Sequence, residues 1–211
     1  MKRGLFITLE GGDGAGKSTQ INNIEQYFTK LGYVCTRTRE PGGTDVSEKL
    51  RDILLDTANS EITPIAEMMI YAAARAQHVS ERIRPAIERG EIVLCDRFVD
   101  SSIAYQKYGR ELGDMVEIVN NYAIQEMIPD ITFWLDLDPE KGRERIGYRE
   151  SPELDRLEQE KMDFHYRVYD GYKKLCETTD RVKRIDATRS IEEMKDEIYG
   201  YLDELCSRLH Y

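Results

Sequence analysis

The sequence has no apolar run near the roughly 20 residues that a membrane-spanning helix needs. It has no internal repeat, no low-complexity stretch and no Ser-, Pro- or Gly-rich linker. These absences argue against a spanning chain or a string of tethered modules, and one domain over residues 1–211 is the expectation. Cysteine is scarce, with Cys35, Cys95, Cys176 and Cys206 far apart and no CxxC pair or Cys/His run. That spacing argues against structural zinc and fits free thiols in a reducing cytoplasm, although an even number leaves disulfides open. Positive charge is also short. Lys and Arg number 30 against 40 Asp and Glu, a net charge of −10. A surface this acidic is not expected to hold nucleic acid through phosphates. A small anion held by a local arginine cluster stays open. At the N-terminus, Lys2 and Arg3 precede only Leu5–Leu9 before Glu10, too short an apolar stretch for a signal peptide.

What is present is an ordinary globular balance, 40% hydrophobic and 33% charged. Short apolar runs alternate with helix-length amphipathic segments. The runs Gly4–Leu9, Tyr33–Thr38, Ile92–Cys95, Ile131–Leu137 and Val182–Ile185 read as strands. The central ones are almost continuously apolar, as suits strands covered on both faces. Ile21, Ile24, Phe28 and Leu31 fall on one helical face, and Gly32 follows as a stop. Thr63-Pro64, Asp138-Pro139 and Ser151-Pro152 each set an N-cap residue before a first-turn proline. Ser190 and Glu193 read as a capping box. The pattern predicts an α/β fold, a five-stranded parallel sheet with helices on both faces. Ligands then bind beyond the carboxyl ends of the strands.

The first strand ends in Gly11-Gly12-Asp13-Gly14-Ala15-Gly16-Lys17-Ser18-Thr19, a GxxxxGKS loop between strand and helix. Such a loop curls its N–H groups around phosphate oxygens, and the helix start adds positive potential. Lys17 can reach the β- and γ-phosphates, and Ser18 can ligate Mg²⁺. Asp96, closing the third strand, stands where such enzymes keep a Mg²⁺-water ligand. The loop implies ATP or GTP and leaves the reaction open. Arginines gather at the same predicted sheet edge: Arg39 after the second strand, Arg97 after the third, and Arg143, Arg145 and Arg149 after the fourth, with Arg75 on a helix. Two arginines beside a Mg²⁺ site point to a second phosphate group.

In order along nearly the whole chain, these elements resemble the thymidylate (dTMP) kinases, within the P-loop nucleoside monophosphate kinases. The resemblance rests on the P-loop with acidic Asp13 and on Arg39-Glu40-Pro41-Gly42-Gly43-Thr44. It rests also on Tyr71…Arg75-Ala76-Gln77-His78, on Asp96-Arg97-Phe98 running to Ser101…Tyr105-Gln106, and on Leu154-Asp155-Arg156-Leu157-Glu158. The Glu40–Thr44 and Ala104-Tyr105-Gln106 segments look like the bacterial form. The resemblance implies dTMP phosphorylation with Mg·ATP, a short arginine-rich lid near 142–156 and a homodimer. Asp13 would accept from the 3′-hydroxyl, Tyr71 would stack on thymine, and Arg75 would lie between base edge and phosphate. Arg97 and Arg39 would hold that phosphate, with Glu40 near it. Ser101, Tyr105 and Gln106 would line the base and sugar pocket. Because the P-loop has Gly14 where some members place an arginine, the lid would supply it: Arg149 for catalysis, Arg143 against adenine. Small and apolar residues on one helix, Ala66, Met69, Ala73 and Ala76, could face a partner. A kinase for another acceptor, or a nucleotide switch lacking an acceptor, are the competing readings.

Overall fold

The computed structural model describes residues 3–147 and 155–209. Five strands, β1 (Phe6–Glu10), β2 (Cys35–Arg39), β3 (Ile92–Asp96), β4 (Ile131–Asp136) and β5 (Val182–Asp186), form one parallel sheet. Their order is β2-β3-β1-β4-β5. All five expected strands are present, with ends moved by one or two residues. The third runs on to Asp96 because that residue still pairs with Leu9 on one side and Arg39 on the other. The described helices are α1 (Lys17–Lys30), α2 (Asp45–Leu55), α3 (Pro64–His78), α4 (Arg84–Glu88), α5 (Val99–Ser102), α6 (Met115–Ile124), α7 (Pro139–Gly147), α8 (Met162–Thr178) and α9 (Ile191–Leu209).

The period-2 alternation of β1 decides what each face of the sheet is for. Leu5, Ile7 and Leu9 pack with Ile21, Ile24 and Phe28 of α1 and Met194, Ile198 and Leu202 of α9. Phe6 points to the other face, against Phe98 and Ile83. On that face β1 turns polar toward its carboxyl end. Thr8 bonds Thr132 across to β4 at 2.7 Å, and Glu10 is fully buried. A sheet covered on both sides thus keeps one dry face and one face that becomes polar where chemistry is expected.

Two sequence expectations are corrected. Leu31 does not join the buried face of α1; it is the C-cap residue and 56% exposed. At the sheet edge, β2 is only half buried and starts after Val34, itself 66% exposed. The caps appear as read. Thr63 Oγ1 accepts from Ala66 N, Asp138 Oδ1 from Glu140 N, and Ser190 and Glu193 bond reciprocally. Ser151-Pro152 lies outside the described residues. All four cysteines are free thiols. Among the described residues no helix is long and apolar enough to cross a membrane.

The segment Ile103–Gly109 is a π-helical turn, a widened geometry common near functional sites. It presents Tyr105 and Gln106. Helix α8 lies hard against it. A Cβ on Gly171 would stand 3.0 Å from Ala104 Cα, so only glycine lets the two backbones come this close. That contact fixes Tyr105 beside Tyr172.

Candidate active site

The phosphate loop lies between the end of β1 and the start of α1. Gly11, Gly14 and Gly16 all have positive φ, and Ala15 is buried. Lys17 folds back over the loop. Its Nζ donates to Gly11 O and Gly12 O at 3.0 Å each and stands 3.6 Å from Asp13 Oδ1. Burial pushes the Lys17 ammonium below its usual range, the Arg97 charge adds to this, and Asp13 opposes it.

Gly14 sets how closely α7 approaches the loop. Its φ is +80°, and a Cβ there would stand 2.7 Å from Gly142 O on α7. Gly142 in turn approaches Asp13 O equally closely. Helix α7 thus docks on the P-loop through two glycines, and an arginine side chain at position 14 would force α7 away. Arg145 donates to Gly14 O at 3.4 Å and to Ala187 O at 2.9 Å, bridging P-loop and the β5–α9 loop. Arg143 turns the other way, to Glu158 O and Glu160 O. Arg149 lies outside the described residues.

Two cavities meet at the loop. One, about 210 Å³, is lined by Asp13, Glu40, Tyr71, Arg75, Arg97, Ser101, Tyr105 and Gln106, so it gathers eight of the residues named from sequence. The other, about 300 Å³, holds Asp13, Gly14, Gly16, Lys17, Ser18 and Thr19 with Arg39, Asp96 and Arg97. Asp13, Glu40 and Arg97 line both. Arg143 and Gly12 line a third space, about 880 Å³, beside α7 and α8.

The two central arginines differ in what they can still bind. Arg75 is 2% exposed and donates to Glu40 Oε2, Ser102 Oγ, Asn120 Oδ1 and Phe98 O. Four of its five N–H groups are thereby used. Glu40 is held from both sides, by Arg75 at 2.7 Å and by His78 Nδ1 at 2.9 Å. It acts as a clamp on Arg75. Among the described residues Arg97 makes a 3.0 Å bond to Asp13 Oδ1 and a long 3.4 Å bond to Tyr172 OH, with its guanidinium over the Tyr105 ring. Its side chain, mostly buried, lines both cavities. Burial pushes the Asp13 carboxyl up, but the adjacent Arg97 and Lys17 outweigh it and bring it down to about 2. An anionic Asp13 therefore sits between two cations.

Asp96 Oδ1 is buried without a hydrogen-bond partner, and Ser18 lines the same cavity. Among the described residues no group of three His, Cys, Asp or Glu side chains could hold a metal ion.

Two residues here were not singled out from sequence. Arg51 lines both cavities and donates to Pro41 O. It shares the inward stripe of α2 with Ser47 and Leu54, so the signal was an arginine at buried helical spacing. Glu10 is the other; its signal was strand parity with Thr8. Its carboxylate accepts from Phe98 N, Ser101 Oγ and Tyr172 OH at 2.7, 2.6 and 2.8 Å. It thus holds the chain just after Arg97. Burial is the largest influence on Glu10 and the nearby Asp100 charge adds to it, raising the carboxyl from 4.5 to about 7. An acid whose folded pKa lies above its unfolded value holds protons more tightly when folded. Its ionisation therefore removes stability as pH rises from about 4.5 to about 7. We expect Glu10→Gln to gain stability relative to the parent across that window, by on the order of 2 kcal/mol. Thermal unfolding at both ends of the window checks this; parallel pH profiles would refute it.

Comparison with known proteins places this geometry. The family model described as thymidylate kinase matches residues 9–198. Thymidylate kinase of Clostridium novyi (strain NT) is 43% identical over 204 residues, 96% of this chain and 100% of that protein. The thymidylate kinase of Lactobacillus delbrueckii subsp. bulgaricus is 50% identical over 198 residues, 91% and 92% of the two chains. A crystal structure of thymidylate kinase from Ehrlichia chaffeensis superposes with a TM-score of 0.77 at 30% identity, covering 95% of this chain and 99% of that one.

Proposed function

The chain belongs to the thymidylate kinase family, and on that premise we propose how its own residues move a phosphoryl group from ATP to dTMP. The overall reaction makes dTDP and ADP, a step toward dTTP. The observation that carries the assignment of residues is the pair of cavities meeting at Asp13 and Arg97. One is walled by the P-loop and suits the donor's phosphates. The other is walled by Tyr71, Tyr105 and Gln106 and suits the acceptor's base and sugar.

An oxygen of the acceptor phosphate attacks the γ-phosphorus; that P–O bond forms as the bond to the β-phosphate oxygen breaks. The attacking group is already anionic near pH 7, so no strong base is needed. The demand is to hold two anions together. Arg97 grips the acceptor phosphate, with Arg51 beside it and one N–H of Arg75 in reserve; Arg39, paired to Glu48 and lining only the P-loop cavity of the two, would reach that phosphate from the donor side. Lys17 and the loop N–H groups hold the donor's β- and γ-phosphates. Asp13 accepts from the sugar 3′-hydroxyl, and Ser101 and Tyr105 shape the pocket around it. Glu40 keeps Arg75 in place. A lid arginine, Arg149 by our reading, closes over the transferring group, where it excludes water and stabilises charge. Arg143 packs near adenine once the lid closes.

Mg²⁺ fits the site. Ser18 and Asp96 would hold it, the unpartnered Asp96 Oδ1 through a water, and phosphate oxygens would complete its shell. When bound it neutralises phosphate charge during transfer. Of the face named from sequence, Ala66, Met69 and Ala73 lie exposed along α3 while Ala76 is half-buried; with exposed Ile65 the first three support a homodimer. The free thiols suit work in a reducing cytoplasm.

The test is coupled ADP release with Mg·ATP, with and without dTMP. We expect strong dTMP-dependent release, dTDP as product, and sedimentation of the same sample as a dimer. ATP binding with no response to dTMP would mean that the acceptor cavity is misassigned. A monomer with full activity would remove α3 from any required interface.

A further inference from the structure

We propose that Glu67 is a positioning residue that fixes the polarity of Gln106, and through it selects an acceptor base that offers an N–H at its pairing edge. The inference rests on the proposal that Tyr71 and Gln106 form the base end of the acceptor cavity.

Glu67 lies on α3 one turn before Tyr71 and is 0% exposed. Its Oε1 accepts from Gln106 Nε2 at 3.0 Å and Arg110 Nε at 3.2 Å. Its Oε2 accepts from Arg110 Nη2 at 2.9 Å and Arg156 Nη2 at 2.7 Å. Two guanidinium groups converge on one buried carboxylate, which stays ionised. Burial alone would raise it, but Arg110, Gln106 and Arg156 together hold it below its usual range.

An ionised carboxylate only accepts. The side of Gln106 that faces it must therefore be the amide NH₂. The O and N ends of a glutamine are ordinarily hard to tell apart, but here the neighbour assigns them. A flipped amide would set its oxygen against a carboxylate oxygen with no proton between. Gln106 is 1% exposed and lines the acceptor cavity. Its Oε1 bonds no described residue and is not among the sealed, unpartnered buried atoms. That oxygen is left as an acceptor toward the cavity, at an end not shared with the phosphate loop.

The base chemistry follows. Thymine and uracil carry N3–H, a donor that meets Oε1. Cytosine carries a lone pair at N3, which faces Oε1 oxygen to lone pair. Stacking on Tyr71 does not separate these bases, because every base offers a π-face. Buried polar groups left unpaired or opposed reject an analogue far more strongly than missing apolar contact does. The polarity of Gln106 thus falls to Glu67.

Glu67 also ties the segment after the lid to α3 through Arg156, and a purely structural role would affect every acceptor alike. The experiment separates the two. We measure kcat/KM for dTMP, dUMP and dCMP in the parent, Glu67→Gln and Arg110→Lys. In Glu67→Gln the carboxamide can accept from Gln106 or donate to it, so Gln106 is free to flip. The dTMP-to-dCMP ratio should fall about tenfold or more, mostly through a higher KM for dTMP. The dTMP-to-dUMP ratio should not move, since both bases carry N3–H. Arg110→Lys loosens the same helices but keeps the anion, and should leave both ratios unchanged. Should Glu67→Gln fail to fold, Glu67→Asp keeps the charge and should retain the dTMP-to-dCMP ratio with a raised KM; its collapse overturns the inference. So does an unchanged ratio in Glu67→Gln. A parent enzyme that uses dTMP and dCMP equally also overturns it while leaving the kinase activity intact. A parent that uses neither strikes the acceptor-site reading itself and this inference with it.

Discussion

Arg97→Ala should lower kcat/KM for dTMP about 10³-fold or more, with Mg·ATP binding nearly unchanged. The size follows from the donors still open. Arg75 has one N–H left after its four internal bonds. Arg97 spends less of its fork, its bonds among the described residues being to Asp13 and, at 3.4 Å, to Tyr172. A fork of N–H groups matches phosphate oxygens in pairs, and arginines that meet phosphoryl groups in such sites are worth about 10³–10⁵ in rate. The alanine variant loses more than this fork. Asp13 keeps its negative charge, now facing the incoming phosphate with only Lys17 to balance it, and its carboxyl should rise from about 2 toward the ordinary range. Arg97→Lys restores the charge but not the fork and should recover only part of the loss. Steady-state kinetics with dTMP varied, beside calorimetric titration of Mg·ATP, give the answer. A variant within about threefold of the parent would remove Arg97 from the acceptor clamp.

The sequence made Arg97 visible as a charge after an apolar strand, but not its posture. Its φ is +68°, a left-handed conformation that costs a non-glycine residue about 1 kcal/mol or more. The backbone holds it because Arg97 N bonds Leu9 O and the next residue's N–H is caught by Glu10. That support comes from β1, far away in sequence, and no local pattern announces it. The same holds for Glu67. Its spacing from Tyr71 reads as helix, while its partners Gln106, Arg110 and Arg156 come from segments that meet only in the fold. What was legible had a period or a motif: five strands, the caps, the glycine loop and, once the family pattern was seen, a set of residues that the fold gathers around one cavity. What was not legible depended on which side chain spends its donors on the protein. Glu40 shows the difference. Sequence placed it near the acceptor, and the structure has both its oxygens occupied by Arg75 and His78.

Lys17→Met should lower kcat about 10³-fold while leaving the KM for dTMP within a few fold, because on the proposed assignment the ammonium meets charge on the donor's phosphates. The variant should also be at least as stable as the parent without nucleotide. Lys17 is 8% exposed, and two of its three N–H groups satisfy Gly11 O and Gly12 O. Among the described residues its one ion pair within 4 Å is with Asp13 at 3.6 Å, which belongs more closely to Arg97 at 3.0 Å; Asp96 and Glu10 add weaker support from farther away. A buried ammonium so loosely paired carries a desolvation penalty that its contacts offset only in part, which is why its pKa is pulled down. Methionine fills nearly the same stem volume and carries no such penalty. Of the two carbonyls it abandons, Gly12 O lies in a half-buried part of the loop, while Gly11 O is buried and loses its donor, a smaller cost than desolvating the ammonium. Bound phosphates reverse the balance, since they supply the anions the empty loop lacks. Thermal unfolding with and without ATP tests this sign: ATP should raise the midpoint of the parent strongly and that of Lys17→Met little. A methionine variant that melts well below the parent, by about 5 °C or more, would mean that Lys17 holds the empty loop together. One that turns over within about tenfold of the parent would mean that the loop N–H groups and Arg97 carry the phosphate charge without it.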